Sequence, residues 1–307
     1  MNDYININQI EILRGPQGTI FGKNTSAGGI NVRTAKPSFE PTAKAEITLG
    51  NYGLQQYKAM VSGPLTEQLA VSLAGSKQTR DGYIDNLTDG STINNRDRWS
   101  IRGQLLWEPT DELSIRIIAD HAEADESCCV AVPVLYGPAT GAIRAVGGLV
   151  VPSTPGVLGG YTGGITDISA REVRVNTEQP FVDPLNDSGI SAEIEWDFGL
   201  ATATAIASYR TFESLPNIDA DFTSANIFDS VIGQDLDETS LELRFASNGD
   251  NAFDWLVGGY YSDQNIDADN FLGFGSDTRN YIGFVTQILL THLPGARHKS
   301  MSLILWR

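Results

Sequence analysis

The run EILRGPQGTIFGKNTSAGGINV, Glu11–Val32, is the most informative part of the chain. Ile10 and Ile12 flank Glu11 in the alternating pattern of a short strand, and Ile30-Asn31-Val32 makes a second one. Between them Gly15, Pro16 and Gly18 form a turn, Ile20 and Phe21 form an apolar pair, and Gly22 to Gly29 is a loop of small residues. Five glycines in 22 residues indicate tight bends or close backbone approach. Gly22-Lys23 invites comparison with a phosphate-binding loop, but the spacing fails. Three residues rather than four separate Gly18 from Gly22, and Asn24 stands where a Ser or Thr should follow the lysine. A G-x-G-x-x-G run is also missing.

The chain has 307 residues, with 21 Lys+Arg against 38 Asp+Glu and a formal net charge of −17. That balance excludes a nucleic-acid binder, which needs a basic patch for phosphates. A hydrophobic fraction of 41% with 19% charged residues excludes wholesale disorder. No apolar run reaches the roughly 18 residues of a transmembrane helix. The two cysteines, Cys128 and Cys129, are adjacent, so a disulfide-stapled scaffold is out.

Working outward, about nine strands follow, eight with period-two alternation and one, Leu200 to Thr211, with an ambiguous face. Examples are Ala43 to Leu49, Tyr57 to Val61, Leu69 to Leu73, Trp99 to Trp107, Leu113 to Ala119, Ile190 to Phe198, Leu200 to Thr211, Leu241 to Phe245 and Phe253 to Tyr261. Short connections (Gly63–Glu67, Glu108–Glu112, Gly199, Ser247–Asn251) alternate with long polar ones at 81–97, 122–187 and 212–236. The first hairpin loop, Gly50–Gly53, is also short. Such an ordering predicts an antiparallel up-and-down meander with its short turns at one end.

One face of each strand is aliphatic and aromatic, the other charged or hydroxylic. Aromatics gather near strand ends, as at Trp99, Trp107, Trp196, Phe198, Phe253, Trp255 and Tyr261. A transmembrane β-barrel has these features, because hydrocarbon offers no partner to backbone N–H and C=O and only a closed sheet satisfies them. A soluble antiparallel sheet with one buried face shows the same alternation. A lectin-like binding or adhesion sandwich therefore stands as the alternative, with loop asymmetry favouring the barrel.

The opening run closely resembles the end of the plug domain of TonB-dependent outer-membrane receptors. The matching segments are Leu13-Arg14-Gly15-Pro16, Phe21-Gly22-Lys23-Asn24, Gly28-Gly29-Ile30-Asn31-Val32 and the basic–Pro junction Lys36-Pro37. Gly50-Asn51-Tyr52-Gly53, Val61-Ser62-Gly63-Pro64-Leu65 and Arg80-Asp81-Gly82-Tyr83 look like the first barrel strands of such receptors. The resemblance implies a 22-stranded barrel with a plugged lumen, of which this chain supplies about nine strands. It divides the chain into a plug end at 1–36, barrel strands at 37–285 and an atypical tail at 286–307 that lacks any acidic residue and is read as foreign or out of frame. It also implies a Gram-negative outer-membrane location and TonB-energised uptake of a scarce nutrient such as a ferric siderophore. The implied partners are TonB, through a box missing from this chain, outer-membrane lipid and lipopolysaccharide, and the nutrient ligand.

The resemblance gives Arg14 a role in locking plug to barrel, with partners expected on strands beyond this chain. Gly15, Pro16, Gly18, Gly22, Asn24, Gly28, Gly29 and Asn31 complete the plug motif as shaping rather than chemical residues. Cys128 and Cys129 are expected to form a disulfide, with free thiols and a ligand role as alternatives. Asn217–Asp221 recurs as Asn265–Asp269, and both copies are expected in solvated external loops, with Ca²⁺ held among lipopolysaccharide phosphates as the alternative. Asp120 and His121 are adjacent, so on a strand they point to opposite faces. No catalytic constellation, cofactor or metal site stands out, and the substrate-binding residues are not legible.

Overall fold

The computed structural model describes residues 6–18, 25–127, 129–137, 139–158, 161–176, 181–248 and 253–292. The opening run folds as a hairpin of β1 (Ile7–Arg14) and β2 (Gly28–Thr34), paired antiparallel with Ile12 opposite Ile30. The wall follows as β3 (Thr42–Leu49), β4 (Gln55–Thr66) and β5 (Leu69–Arg80). Two short strands, β6 (Ile84–Asn86) and β7 (Thr92–Ile93), interrupt it. It resumes with β8 (Arg96–Thr110) and β9 (Leu113–Glu126).

The longest connection holds β10 (Leu135–Tyr136), helix α1 (Thr140–Ala145), β11 (Ser153–Leu158), β12 (Tyr161–Thr166) and β13 (Glu172–Val173). The wall then runs through β14 (Asp183–Asp197) and β15 (Ala201–Ser214), the short β16 (Asn217–Asp219), β17 (Phe228–Ser247) and β18 (Leu256–Phe274). Helix α2 (Thr278–His292) ends the described part.

The nine long strands β3, β4, β5, β8, β9, β14, β15, β17 and β18 pair strictly in chain order, each antiparallel to the next. β16 extends the β15 side of β17, pairing Asp219 with Asp229. Glu67–Gln68, Asp111–Glu112 and Phe198–Leu200 turn the chain at one end, and every long connection lies at the other. β3 and β18, the edges left open among the described residues, therefore point the same way. Antiparallel closure thus calls for an odd number of intervening strands.

The alternation sorts the wall into two surfaces. Ile101, Trp107, Ile117, Ile190, Ile194, Trp196, Leu241 and Leu243 are exposed, while Ala70, Ser72, Ala74, Ser100 and Gln104 are buried. Large apolar side chains outside and small or polar ones inside invert a water-soluble protein and match a barrel wall whose outer solvent is lipid. A lectin-like sandwich would bury those isoleucines and tryptophans in its core.

Three expectations need correction. The strands run further toward the long-loop end than the hydrophobic pattern indicates: β9 reaches Glu126, β14 begins at Asp183 and β17 begins at Phe228. Backbone pairing continues there after the greasy face has ended, because neighbouring strands satisfy one another without lipid. The repeat Asn265–Asp269 accordingly lies within β18, not in a loop. The wall strands end at Phe274, and residues 278–292 are helical. The tail beyond His292 lies outside the described residues.

At the long-loop end the connections pack on one another. Ile84, Ile93, Val130, Val173 and Val175 form a buried cluster beneath Tyr83, Phe181 and Phe222. Ile143, Ala225 and Ile227 form a second cluster joined by Phe228 and Tyr281, so α1 and α2 meet over β17. Loops with their own apolar cores make a fixed outer rim.

Candidate functional site: the lumen face and its strap

The hairpin β1–β2 presents Ile10 and Ile12 beside Val32 and Ile30, all exposed. Its other face is polar, with the Asn31 side chain donating to Glu11 at 2.8 Å. Gly28 has φ +145°, and a Cβ there would sit 2.4 Å from the Leu13 carbonyl, so only glycine closes this hairpin. Gly29 pairs with Leu13, Gly15 donates its N–H to the Ala27 carbonyl at 3.2 Å, and Pro16 and Gly18 are exposed beyond the strand end. Arg14 is exposed at the strand end. Gly22 and Asn24 lie outside the described residues.

After β2 the chain forms a strap against the inner face of the wall. Arg116 donates from Nη2 to the Thr34 and Ala35 carbonyls, both at 3.3 Å, and to Thr34 Oγ1 at 3.0 Å. Its Nε donates to Gln104 Oε1 at 3.1 Å, and Gln104 Nε2 donates to the Ala35 carbonyl at 3.2 Å. Lys36 Nζ lies 3.1 Å from Glu195. Arg116, Gln104 and Glu195 come from three strands, and each occupies the polar position of the alternation. The opening segment therefore ends on the lumen side, at the short-turn end.

Further along the lumen, Arg210 bridges Asp120 at 2.9 Å and Asp187, and Arg102 reaches Asp120 at 3.4 Å. A Cβ at Gly189 would lie 2.7 Å from Arg210 Nη2, so glycine there lets the guanidinium cross the strand. Nearer the rim, Glu126 is almost wholly buried and accepts from Arg98 Nε and Nη2, both at 2.6 Å, and from Arg96. These ion pairs are held by several donors each, as charges away from water require.

The rim carries buried acid. Asp219 is 4% exposed and accepts N–H groups from Asn176 at 2.7 Å, Asp221 at 3.0 Å and Phe222 at 3.1 Å. Burial, with Asp221 close by, pushes its carboxyl up to about 7, and burial raises Asp221 as well. This first copy of the repeat is thus half strand, with Asn217–Asp219 in β16, and its buried Asp219 ties the rim together instead of lying in a solvated loop. Cys129 is disulfide-bonded and its N–H donates to Asn94 Oδ1 at 3.0 Å; Cys128 lies outside the described residues.

Sequence reading missed one constellation. His121 Nδ1 sits 2.8 Å from Ser188 Oγ and Nε2 sits 3.1 Å from Glu123 Oε1, while Trp99 Nε1 donates to Glu123 at 3.0 Å. Cross-strand register brings them together, since Ser188 faces His121 directly, and spacing within one strand gives no sign of it. The group lies on the flat outer face, where the ladder already uses the amides of an oxyanion hole. Among the described residues no three His, Cys, Asp or Glu side chains converge as a metal site.

A nine-stranded wall with its large apolar side chains outside and a glycine-shaped hairpin strapped to its polar side has the fold of part of a TonB-dependent outer-membrane receptor, a plugged β-barrel. Among solved structures, the ferric yersiniabactin uptake receptor FyuA of Yersinia pestis superposes with a TM-score of 0.68 at 17% identity, over 86% of this chain and 37% of its own. The ferripyoverdine receptor of the outer membrane of Pseudomonas aeruginosa gives 0.65 at 15% identity, over 87% and 33%. In sequence, the pesticin receptor of Yersinia enterocolitica is 34% identical over 86 residues, which is 28% of this chain and 13% of the receptor. The ferrioxamine B receptor of Salmonella typhimurium is 24% identical over 115 residues, 37% of this chain and 15% of the receptor. The matched region thus spans about an eighth to a seventh of these curated relatives. Comparison with known family descriptions returns no match. The relatives are receptors, not enzymes.

Proposed function

We propose that this chain forms the plug end and first wall strands of a receptor that carries a scarce nutrient, a ferric siderophore or similar chelate, across the outer membrane with energy from TonB. The observation that carries the reading is the strap: Thr34–Lys36 is held by Arg116, Gln104 and Glu195 on the face turned away from lipid. A plug belongs in that position. The names of the ferrioxamine B receptor and of the ferric yersiniabactin uptake receptor support ferric siderophores as the substrate class. Recognition there is a matter of loop shape and polar contacts, without bond chemistry. Lipid and lipopolysaccharide are the proposed surroundings of the outer face.

Growth on limiting iron tests this. A strain deleted for the complete receptor is fed a panel of ferric siderophores. Loss of growth on at least one, restored by the receptor only when TonB is intact, is expected. Unchanged growth on all of them, with the protein in the aqueous fraction after lysis, overturns the proposal.

A further inference from the structure

We infer that Arg116, with Gln104, is the positioning residue that fixes where the movable plug ends, so that displacement of the plug stops at Thr34. This rests on the plug-and-barrel reading above and adds to it a residue that sets the limit of motion.

The two sides of Thr34 differ in how they are held. On the amino-terminal side is a two-stranded hairpin whose four large apolar side chains, Ile10, Ile12, Ile30 and Val32, are exposed. Hydrogen bonds of Gln9, Gln17 and Asn31 stay within it. On the other side, one guanidinium takes both the Thr34 and Ala35 carbonyls and the Thr34 hydroxyl, and Gln104 doubles the grip on Ala35. Gln104 is 5% exposed, so water does not compete freely for these bonds. Lys36 adds an ion pair to Glu195. The Ser38 N–H then donates to Ser62 Oγ at 2.8 Å, which begins attachment to the wall proper. Arg116 and Gln104 stand on adjacent strands, with Arg116 opposite Leu106 and Gln104 opposite Ile118, so the clamp is braced by the wall itself.

A load arriving from the amino-terminal side passes through the neutral ladder of the hairpin before it draws on the clamp at Thr34. Charge-assisted bonds from a fork fixed in a strand are roughly twice as strong as the neutral bonds of that ladder.

The complete receptor is pulled in a lipid bilayer by its amino terminus, and the length released before the wall resists is read. The wild type is expected to release chain up to Thr34. Arg116→Ala is expected to release the strap as well, from Ala35 to Pro41, lengthening the step by about 2.3–2.5 nm at 3.3–3.6 Å per residue. Gln104→Ala, which leaves the arginine in place, is expected to lengthen it likewise and serves if Arg116→Ala does not assemble. A released length unchanged in an assembled variant overturns the role of the clamp while leaving the plug reading intact. A wild-type receptor from which no amino-terminal segment can be drawn out of the lumen overturns both.

Discussion

Ile101 is 42% exposed while Ser100, its neighbour in β8, is 4% exposed. The larger and more apolar of two consecutive residues faces outward. In water this arrangement wastes hydrophobic area; in hydrocarbon it gains it. The pair condenses the whole wall, since Ala74, Ser100 and Gln104 share one surface and Ile101, Ile117 and Ile194 the other.

Ile117 pairs with Leu105 and Ala192 on the outward surface in the middle of the wall. Ile117→Arg is expected to cost about 2–4 kcal/mol, the value for a cation on the lipid face near the bilayer midplane. Ile117→Leu is expected to change stability little. Urea unfolding of the complete receptor in lipid vesicles reads both.

Glu126 neutralises Arg96 and Arg98 at the outer end of the lumen. Glu126→Ala leaves two guanidiniums without their carboxylate. Removing one partner of a buried pair costs about 3–5 kcal/mol, and the partial exposure of both arginines sets the expectation at the lower end. The same unfolding assay measures it, and replacing Glu126 together with both arginines by apolar residues is expected to recover much of the loss.

Much of this fold is legible in sequence because lipid imposes a simple rule: alternate, turn, alternate. The nine strands and the sorting of loops by length follow from it. The lumen contacts are not legible, since Arg116 meets Thr34 across 82 positions and no local spacing records that. The Ser188–His121 contact is hidden for the same reason. The helix at Thr278–His292 is not legible from the strand alternation that precedes it. Asp219 reads as surface acid in the sequence because its burial depends on contacts such as Asn176, 43 positions away.

Asp219 gives the rim a pH dependence. Its carboxyl is raised from 3.8 to about 7 in the fold, so the folded state favours the protonated form. The stability from this group is therefore greatest below about pH 4, declines as pH rises toward 7, and is flat above that. Hydrogen exchange at the Asn176 amide, corrected for its intrinsic pH dependence, is expected to speed up over that window. In Asp219→Asn the dependence is expected to shrink to what Asp221 alone contributes.

The bond at Cys129 is expected to join it to its sequence neighbour Cys128, the only other cysteine of the chain. The nonreduced peptide holding both is then about two daltons lighter than the reduced one, with no second peptide attached. Mass spectrometry of a digest made without reductant checks this, and full mass for the unreduced peptide contradicts it.

The most direct test of the lipid-out, plug-in arrangement is a site-directed spin-label scan from Ser100 to Trp107 in the complete receptor, reconstituted in lipid. Labels at 101, 103, 105 and 107 are predicted to collide with oxygen dissolved in the bilayer, and labels at 100, 102, 104 and 106 to be shielded from it. A scan without this two-residue period, or with the even positions facing oxygen, contradicts the arrangement.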